Sequence, residues 1–165
     1  MKAELMKDSC LEIEQLLNEE DVVNIVNKLK EIDEPRWHVR DTFGPGRGLP
    51  DATCRYDYTN QIYLDTETVD YLKSHAPVYK DYFLNEVAIN RYNVGDYIGP
   101  HRDRDLHRKN VVISLQKNGD GLLLDETNEF IEDKIGQGVA ITGIGPVHSV
   151  PEVKNERYSL IFLYE

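Results

Sequence analysis

The residues able to do chemistry in this chain gather around INRYNVGDYIGPHRDRD, residues 89–105, where a Gly-Pro turn is followed at alternate positions by His101, Asp103 and Asp105. On a strand, residues two apart share a face about 7 Å apart, so His101 and Asp103 can address one ion. A third ligand is available in His148, which follows a second Gly-Pro turn in GIGPVHSVPEV. Two imidazoles and one carboxylate hold a divalent metal and leave three coordination positions open. Farther on, RYSLIFLY places Arg157, Ser159, Ile161 and Leu163 on one strand face, and Tyr158, Leu160, Phe162 and Tyr164 on the other. An inward Arg157 needs an anion, and its fork suits a carboxylate, with Ser159 adding a hydroxyl. The other reading of Arg157 is a strand-opening residue in water next to Glu156. By the same parity Asn90 and Tyr92 share a face of the strand leading into the metal motif, and either could donate to the same bound dicarboxylate. Asp105 has two readings as well: a substrate contact, or an ion-pair partner for Arg102, Arg104 or Arg108 on a wet edge. The run Arg102, Arg104, His107, Arg108 and Lys109 meets an anionic substrate or is a solvated face.

These groups need elements to carry them. From residue 80 onward the runs EVAINRY, NVVISLQ, GLLLDE, EFIED, GVAITG and RYSLIFLY, separated by turns such as NGDG and GQG, predict six short strands of an antiparallel sandwich or barrel. In a jelly roll an early and a late strand lie side by side, which brings His101, Asp103 and His148 together. Upstream, CLEIEQLL predicts a short strand. Asn18 as N-cap and the spacing of Val22, Val23, Ile25, Val26 and Leu29 predict an amphipathic helix over 19–32. A second helix is expected over about 66–76, stopped by Pro77. The fold class expected is α+β, mainly β: a jelly roll (double-stranded β-helix) buttressed by N-terminal helices. One domain is expected over 1–165, with helical support and a substrate loop in 1–80 and the jelly-roll core in 81–165. Residues 41–61, DTFGPGRGLPDATCRYDYTNQ, have no clear period and read either as a surface loop or as a substrate lid bearing Arg47, Arg55, Tyr56 and Tyr58.

Composition narrows the class. The net charge of −11 is uneven: residues 1–34 carry ten acids against four lysines, whereas residues 35–110 hold eleven of each sign. The stretch around His101 is therefore the part that does not repel an anion, and the acidic whole argues against general nucleic-acid affinity. No apolar run is long enough to span a bilayer, and MKAELMKDSC has no block like a signal peptide. The expectation is a soluble cytoplasmic protein with no membrane partner, its two cysteines free thiols in a reducing compartment that also suits ferrous iron.

The three candidate ligands form the usual set of non-haem Fe(II) oxygenases. The run from about residue 84 to the C-terminus, with RYNVGDYIGPHRD and HSVPEVKNERYSLIFLY, resembles the Fe(II)- and 2-oxoglutarate-dependent dioxygenase superfamily, most closely its prolyl-4-hydroxylase-like branch. The resemblance implies iron ligands His101, Asp103 and His148, and Arg157 on the distal carboxylate of 2-oxoglutarate. It further implies Ser159 as the serine of an Arg-x-Ser motif, Tyr92 at a co-substrate-binding position, O2 as oxidant and ascorbate as a supporting reductant. The substrate implied is a protein or peptide side chain, or a small molecule, that is hydroxylated at an unactivated C–H bond; Asp105, Arg104, Arg47, Tyr56 and Tyr58 are candidates to touch it. A second branch is similar too: in AlkB-like nucleobase demethylases an Asn-x-Tyr, here Asn90 and Tyr92, precedes the His-x-Asp, and Asp105 matches an acid that contacts the base. That pattern has a second arginine six residues after the first, where this chain has Leu163. A cupin-like metal enzyme that does not use 2-oxoglutarate needs neither Arg157 nor Ser159.

Overall fold

The computed structural model describes residues 10–103 and 108–165. Among the described residues eleven strands follow in chain order: β1 (Cys10–Gln15), β2 (His38–Arg40), β3 (Cys54–Asn60), β4 (Leu84–Tyr92), β5 (Tyr97–His101), β6 (Lys109–Ser114), β7 (Gly121–Leu124), β8 (Glu129–Glu132), β9 (Gln137–Thr142), β10 (His148–Val150) and β11 (Arg157–Tyr164). The helices are α1 (Glu19–Lys30) and α2 (Thr66–Lys73). Every strand pairing is antiparallel, in the order β1-β9-β6-β11-β4-β3-β5-β10-β7-β8, with β2 beside β3. The sheet curls because β3 serves both halves: Cys54 and Arg55 pair with β5, and Asp57–Asn60 pair with β4. This is the expected jelly roll with two helices.

Strand parity decides what lies on each side of the larger half. Val87 and Ile89 of β4, Val111 and Ile113 of β6, and Leu160 and Phe162 of β11 are buried against Val22, Ile25 and Leu29 of α1 and Leu72 of α2. Intervening residues of the same strands face the barrel interior. The helices thus cover the outer face of the sheet that carries Arg157 inside, as their amphipathic spacing predicts. Each is capped as its sequence allows: Asn18 Oδ1 accepts from the Asp21 amide at 2.8 Å, and Asp65 Oδ1 from the Thr68 amide at 2.7 Å. Both end two or three residues before the predicted limits, because amides such as those of Ile32 and Ala76 bond three residues back, to Leu29 and Lys73, and tighten the last turn.

The larger departures are in strands. β2, β5 and β10 were not among the expected runs, and β3 lies within the 41–61 segment predicted to be a loop or lid. β5 contains Gly99 and Pro100, which read as a turn. It holds as a strand because its neighbours supply partners: the Gly99 amide donates to Thr53 O at 2.8 Å, and Pro100 O accepts from the Leu49 amide at 3.1 Å. A Cβ at Gly99 would lie 2.6 Å from Thr53 O, so this approach needs glycine. No helix among the described residues is long and apolar enough to cross a membrane.

Phe162 is wholly buried between the sheet and the helices. Phe162→Ala is expected to cost about 3–5 kcal/mol of stability, measured as a lower urea midpoint with an unchanged slope.

Candidate metal centre and its cavity

His101 and His148 are brought together by the β5–β10 pairing, in which they are direct partners. Their ring centroids lie 4.3 Å apart. Each ring is oriented by its own chain: His101 Nδ1 donates to Gly99 O at 3.0 Å and His148 Nδ1 to Pro146 O at 2.9 Å. A proton on Nδ1 leaves the Nε2 lone pair free, which is the form that binds a metal. The turn before His148 depends on Gly145, whose φ is +71° and whose carbonyl accepts from Arg102 Nη1 at 2.7 Å.

Asp103 completes the group, but not as the strand neighbour expected. β5 ends at His101, and the carboxylate arrives from the following coil, with Oδ1 4.0 Å from His101 Nε2 and 3.3 Å from His148 Nε2. Asn110 of β6 donates to its other oxygen, Oδ2, at 3.1 Å, so Oδ1 is left facing the imidazoles. The three ligand atoms lie within 4.8 Å of one another and could hold a metal ion. Burial opposes protonation of His101, reinforced by His148 and Arg47, and holds its pKa down to about 3. Burial also works against the Asp103 anion, but the adjacent His148 ring and the hydrogen bond from Asn110 outweigh it and hold the carboxyl down to about 2. For His148 burial is likewise opposed by Asp103, which pushes its pKa up. The site therefore carries a carboxylate and one imidazole that is neutral throughout the physiological range, the state a cation requires.

The metal group opens on a cavity of about 300 Å³ inside the barrel. Arg157 and Ser159 line it from β11, and Asn90 and Tyr92 line it from β4, where Arg157 pairs with Tyr92 and Ser159 with Asn90. Arg157 is 3% exposed, so the reading in which it opens the strand in water is corrected. Its anion comes first from the chain itself: Asp133, 2% exposed, accepts from Arg157 Nε at 2.6 Å and Nη2 at 3.0 Å. Asp133 also accepts from Ser114 Oγ at 2.9 Å and Gln116 Nε2 at 3.0 Å. The pair fixes the guanidinium and leaves Arg157 Nη1 buried without a hydrogen-bond partner; Ser159 Oγ is in the same condition. The guanidinium carbon lies 4.8 Å from the centroid of the Tyr92 ring. Burial pushes the Tyr92 hydroxyl up to about 12, so it stays protonated, and it accepts from Asn90 Nδ2 at 3.4 Å. Unsatisfied buried donors each cost about 1–3 kcal/mol, so this end of the cavity suits a ligand rich in acceptor oxygens.

Of the remaining candidates, Arg47, Tyr56 and Tyr58 line the cavity, while Asp105 and Arg104 lie outside the described residues. Arg55 does not belong to it: it sits on the alternate face of β3 and pairs with Asp96 at 3.2 Å. In the basic run, Arg102 bonds Gly145 O and Glu126, and Arg108 and Lys109 sit over tyrosine rings, so none of these three lines the cavity. Residues 41–53 are not a free loop. Arg47 O accepts from the Arg102 amide at 3.1 Å, Gly48 bridges His101, and the Phe43 ring stacks 5.7 Å from that imidazole. Asp133, Asn110 and Arg40 were missed from sequence; only Asn110 had a signal, its parity with Val112 on the inward face of NVVISLQ.

The fold is that of the 2-oxoglutarate- and Fe(II)-dependent oxygenases, in agreement with the sequence resemblance. The chain is similar to an oxidoreductase of the 2OG-Fe(II) oxygenase family from Burkholderia pseudomallei, with TM-score 0.62 and 17% identity over 99% of this chain and 88% of that one. A prolyl-4-hydroxylase from Pseudomonas putida matches with TM-score 0.61 and 16% identity, covering 99% and 95% of the two chains. A non-haem α-ketoglutarate-dependent epimerase of nogalamycin biosynthesis matches with TM-score 0.59 and 14% identity, covering 100% and 83%. No protein-family model and no curated protein matches the chain by sequence.

Removing Asp133 strands a buried guanidinium. Asp133→Ala is expected to lower stability by about 3–5 kcal/mol in urea unfolding of the metal-free protein, with much of the loss recovered when Arg157→Met is added.

Proposed function

We propose that this protein is an Fe(II)- and 2-oxoglutarate-dependent dioxygenase that hydroxylates an unactivated C–H bond of a protein side chain or a small molecule. The observation that carries the reading is the shared cavity: a His-Asp-His group at one place in it, and two unpartnered buried donors, Arg157 Nη1 and Ser159 Oγ, at another. A metal site of the cupin sort without this co-substrate leaves those donors unexplained.

In this reading His101, Asp103 and His148 hold the metal, and their orientation is set before it binds by Gly99 O, Asn110 and Pro146 O. When bound, iron and 2-oxoglutarate supply oxidation of a C–H bond by O2, coupled to loss of CO2 from the co-substrate and formation of succinate. The protein contributes orientation and dryness. Arg157 Nη1, Ser159 Oγ and the Tyr92 hydroxyl would hold the distal carboxylate of 2-oxoglutarate, while Asp133 keeps the guanidinium from turning away. Ile98, Val112, Leu122, Val150 and Ile161 line the rest of the cavity and exclude water from the reacting centre. Leu163 is on the cavity wall, where the nucleobase-demethylase pattern requires an arginine, which favours the hydroxylase reading. The similar prolyl-4-hydroxylase and the epimerase of nogalamycin biosynthesis support a protein side chain and a small molecule respectively.

An anaerobic titration with Fe(II) and then 2-oxoglutarate tests the assignment. The expected result is a visible metal-to-ligand charge-transfer band in the wild type that is absent in His148→Ala. Iron binding without the band would remove the co-substrate from the scheme. Arg157→Ala is expected to weaken 2-oxoglutarate about tenfold or more, read from the midpoint of that titration, because charge-assisted hydrogen bonds contribute about 1.5–3 kcal/mol.

A further inference from the structure

The cavity holds a second cationic feature that the co-substrate does not require. Arg47, in the segment hydrogen-bonded along β5, and Arg40, at the end of β2, both line it. Arg47 Nε is buried and has no hydrogen-bond partner. Among the described residues neither guanidinium has a carboxylate within ion-pair distance, whereas Arg55, Arg91 and Arg157 are each paired with one. Arg40 is instead stacked on Tyr58, its guanidinium carbon 4.1 Å from the ring centroid, a contact that occupies a face of the fork rather than its N–H edge. The positive charges of both reach Cys54, and that of Arg47 is felt at His101 and His148.

In a chain with thirty acids and nineteen bases, partners for two arginines are plentiful. Two half-buried guanidiniums lining one cavity, with no ion-paired carboxylate among the described residues, carry a desolvation cost that no described ion pair returns. Two carboxylates line the same cavity: Asp103 faces the imidazoles and Asn110, and Glu86 acts on the Tyr58 hydroxyl without an ion pair to either arginine among the described residues. Backbone ties keep Arg47 beside the metal group, since its carbonyl accepts from the Arg102 amide and the next residue, Gly48, bridges His101.

We infer that Arg47, with Arg40, is the receptor for an oxyanion of the substrate, a carboxylate or phosphate group that anchors it while another part of the molecule lies at the metal. This inference rests on the oxygenase reading for the place of the co-substrate, at Arg157, and adds the substrate's charge. Planar guanidinium forks bind either oxyanion bidentately. A substrate anchored in this way meets a cavity wall of opposite charge inside a protein whose surface is otherwise acidic, so neutral analogues of the same shape are discriminated against.

Side-chain Nε–H resonances of the arginines, observed by NMR in the full chain, test this in two stages. First, Zn(II), which is redox-inert, and 2-oxoglutarate are added, and a shift of Arg157 reports the co-substrate alone; its absence would count against the oxygenase reading, not against the anion site. Second, acetate and inorganic phosphate are titrated separately into that sample. The result expected is a saturable shift at Arg47 and Arg40 with the exposed Arg108 as the unsaturable control, and the tighter of the two anions identifies the group. Arg47→Gln should weaken that binding about tenfold while the Arg157 response to 2-oxoglutarate stays unchanged. Shifts at Arg47 no different from those of Arg108 with both anions, or anion binding that survives Arg47→Gln and Arg40→Gln together, would overturn the assignment.

Discussion

The antiparallel pairing of β5 with β10, which sets His101 directly opposite His148, is the constraint on which the site depends. Paired residues in such a ladder have Cα atoms about 4.5–5.5 Å apart, too close for two imidazoles to avoid one another. Their Nδ1 atoms are committed to their own backbones, so both Nε2 atoms turn toward Asp103. The pairing exists only because the sheet curls: β3 leaves β4 partway along its length and continues against β5, and the smaller half of the barrel closes over the larger. A slip of one residue in β10 would turn His148 out of the barrel.

The second organising interaction is the buried pair of Arg157 and Asp133. Four side-chain hydrogen bonds converge on Asp133, from Ser114, Gln116 and Arg157, so the pair is held in place and leaves Arg157 Nη1 without a partner of its own. Such a pair adds little net stability relative to apolar packing. Its effect here is geometric: it orients a strong donor toward a space that also holds the metal group. The cavity thereby holds a neutralised cationic end at Arg157, a metal group, and two arginines, Arg47 and Arg40, that have no ion-paired carboxylate among the described residues. That distribution contrasts with the acidic exterior and concentrates the protein's capacity for anions inside the barrel.

Much of this was legible one residue at a time. The parity of RYSLIFLY separated the cavity face from the helix-packed face without error, because a period of two follows from the pleat alone. Asn18 and the spacing of Val22, Ile25 and Leu29 located α1 for the same kind of local reason. His101, Asp103 and His148 could be grouped from residue type and from their place after Gly-Pro turns. What local pattern could not supply was β5, whose Gly99 and Pro100 signal a turn and whose strand geometry is imposed by Thr53 and Leu49 on neighbouring segments. Nor could it supply β3, hidden in a segment whose glycines and prolines precede it.

The sequence by itself determined the residue types for a metal group, the alternation that puts Arg157 on the opposite strand face from Leu160 and Phe162, and the helices that cover that strand, since each depends on neighbours within a turn or a pleat. The tertiary structure alone decided that Asp103 reaches the imidazoles from a coil, that Asp133 and not solvent answers Arg157, and that Arg47 and Arg40 line the cavity with no ion-paired carboxylate among the described residues. Those outcomes depend on pairings between segments far apart in the chain, and the energy of a buried charge is set by what surrounds it in space.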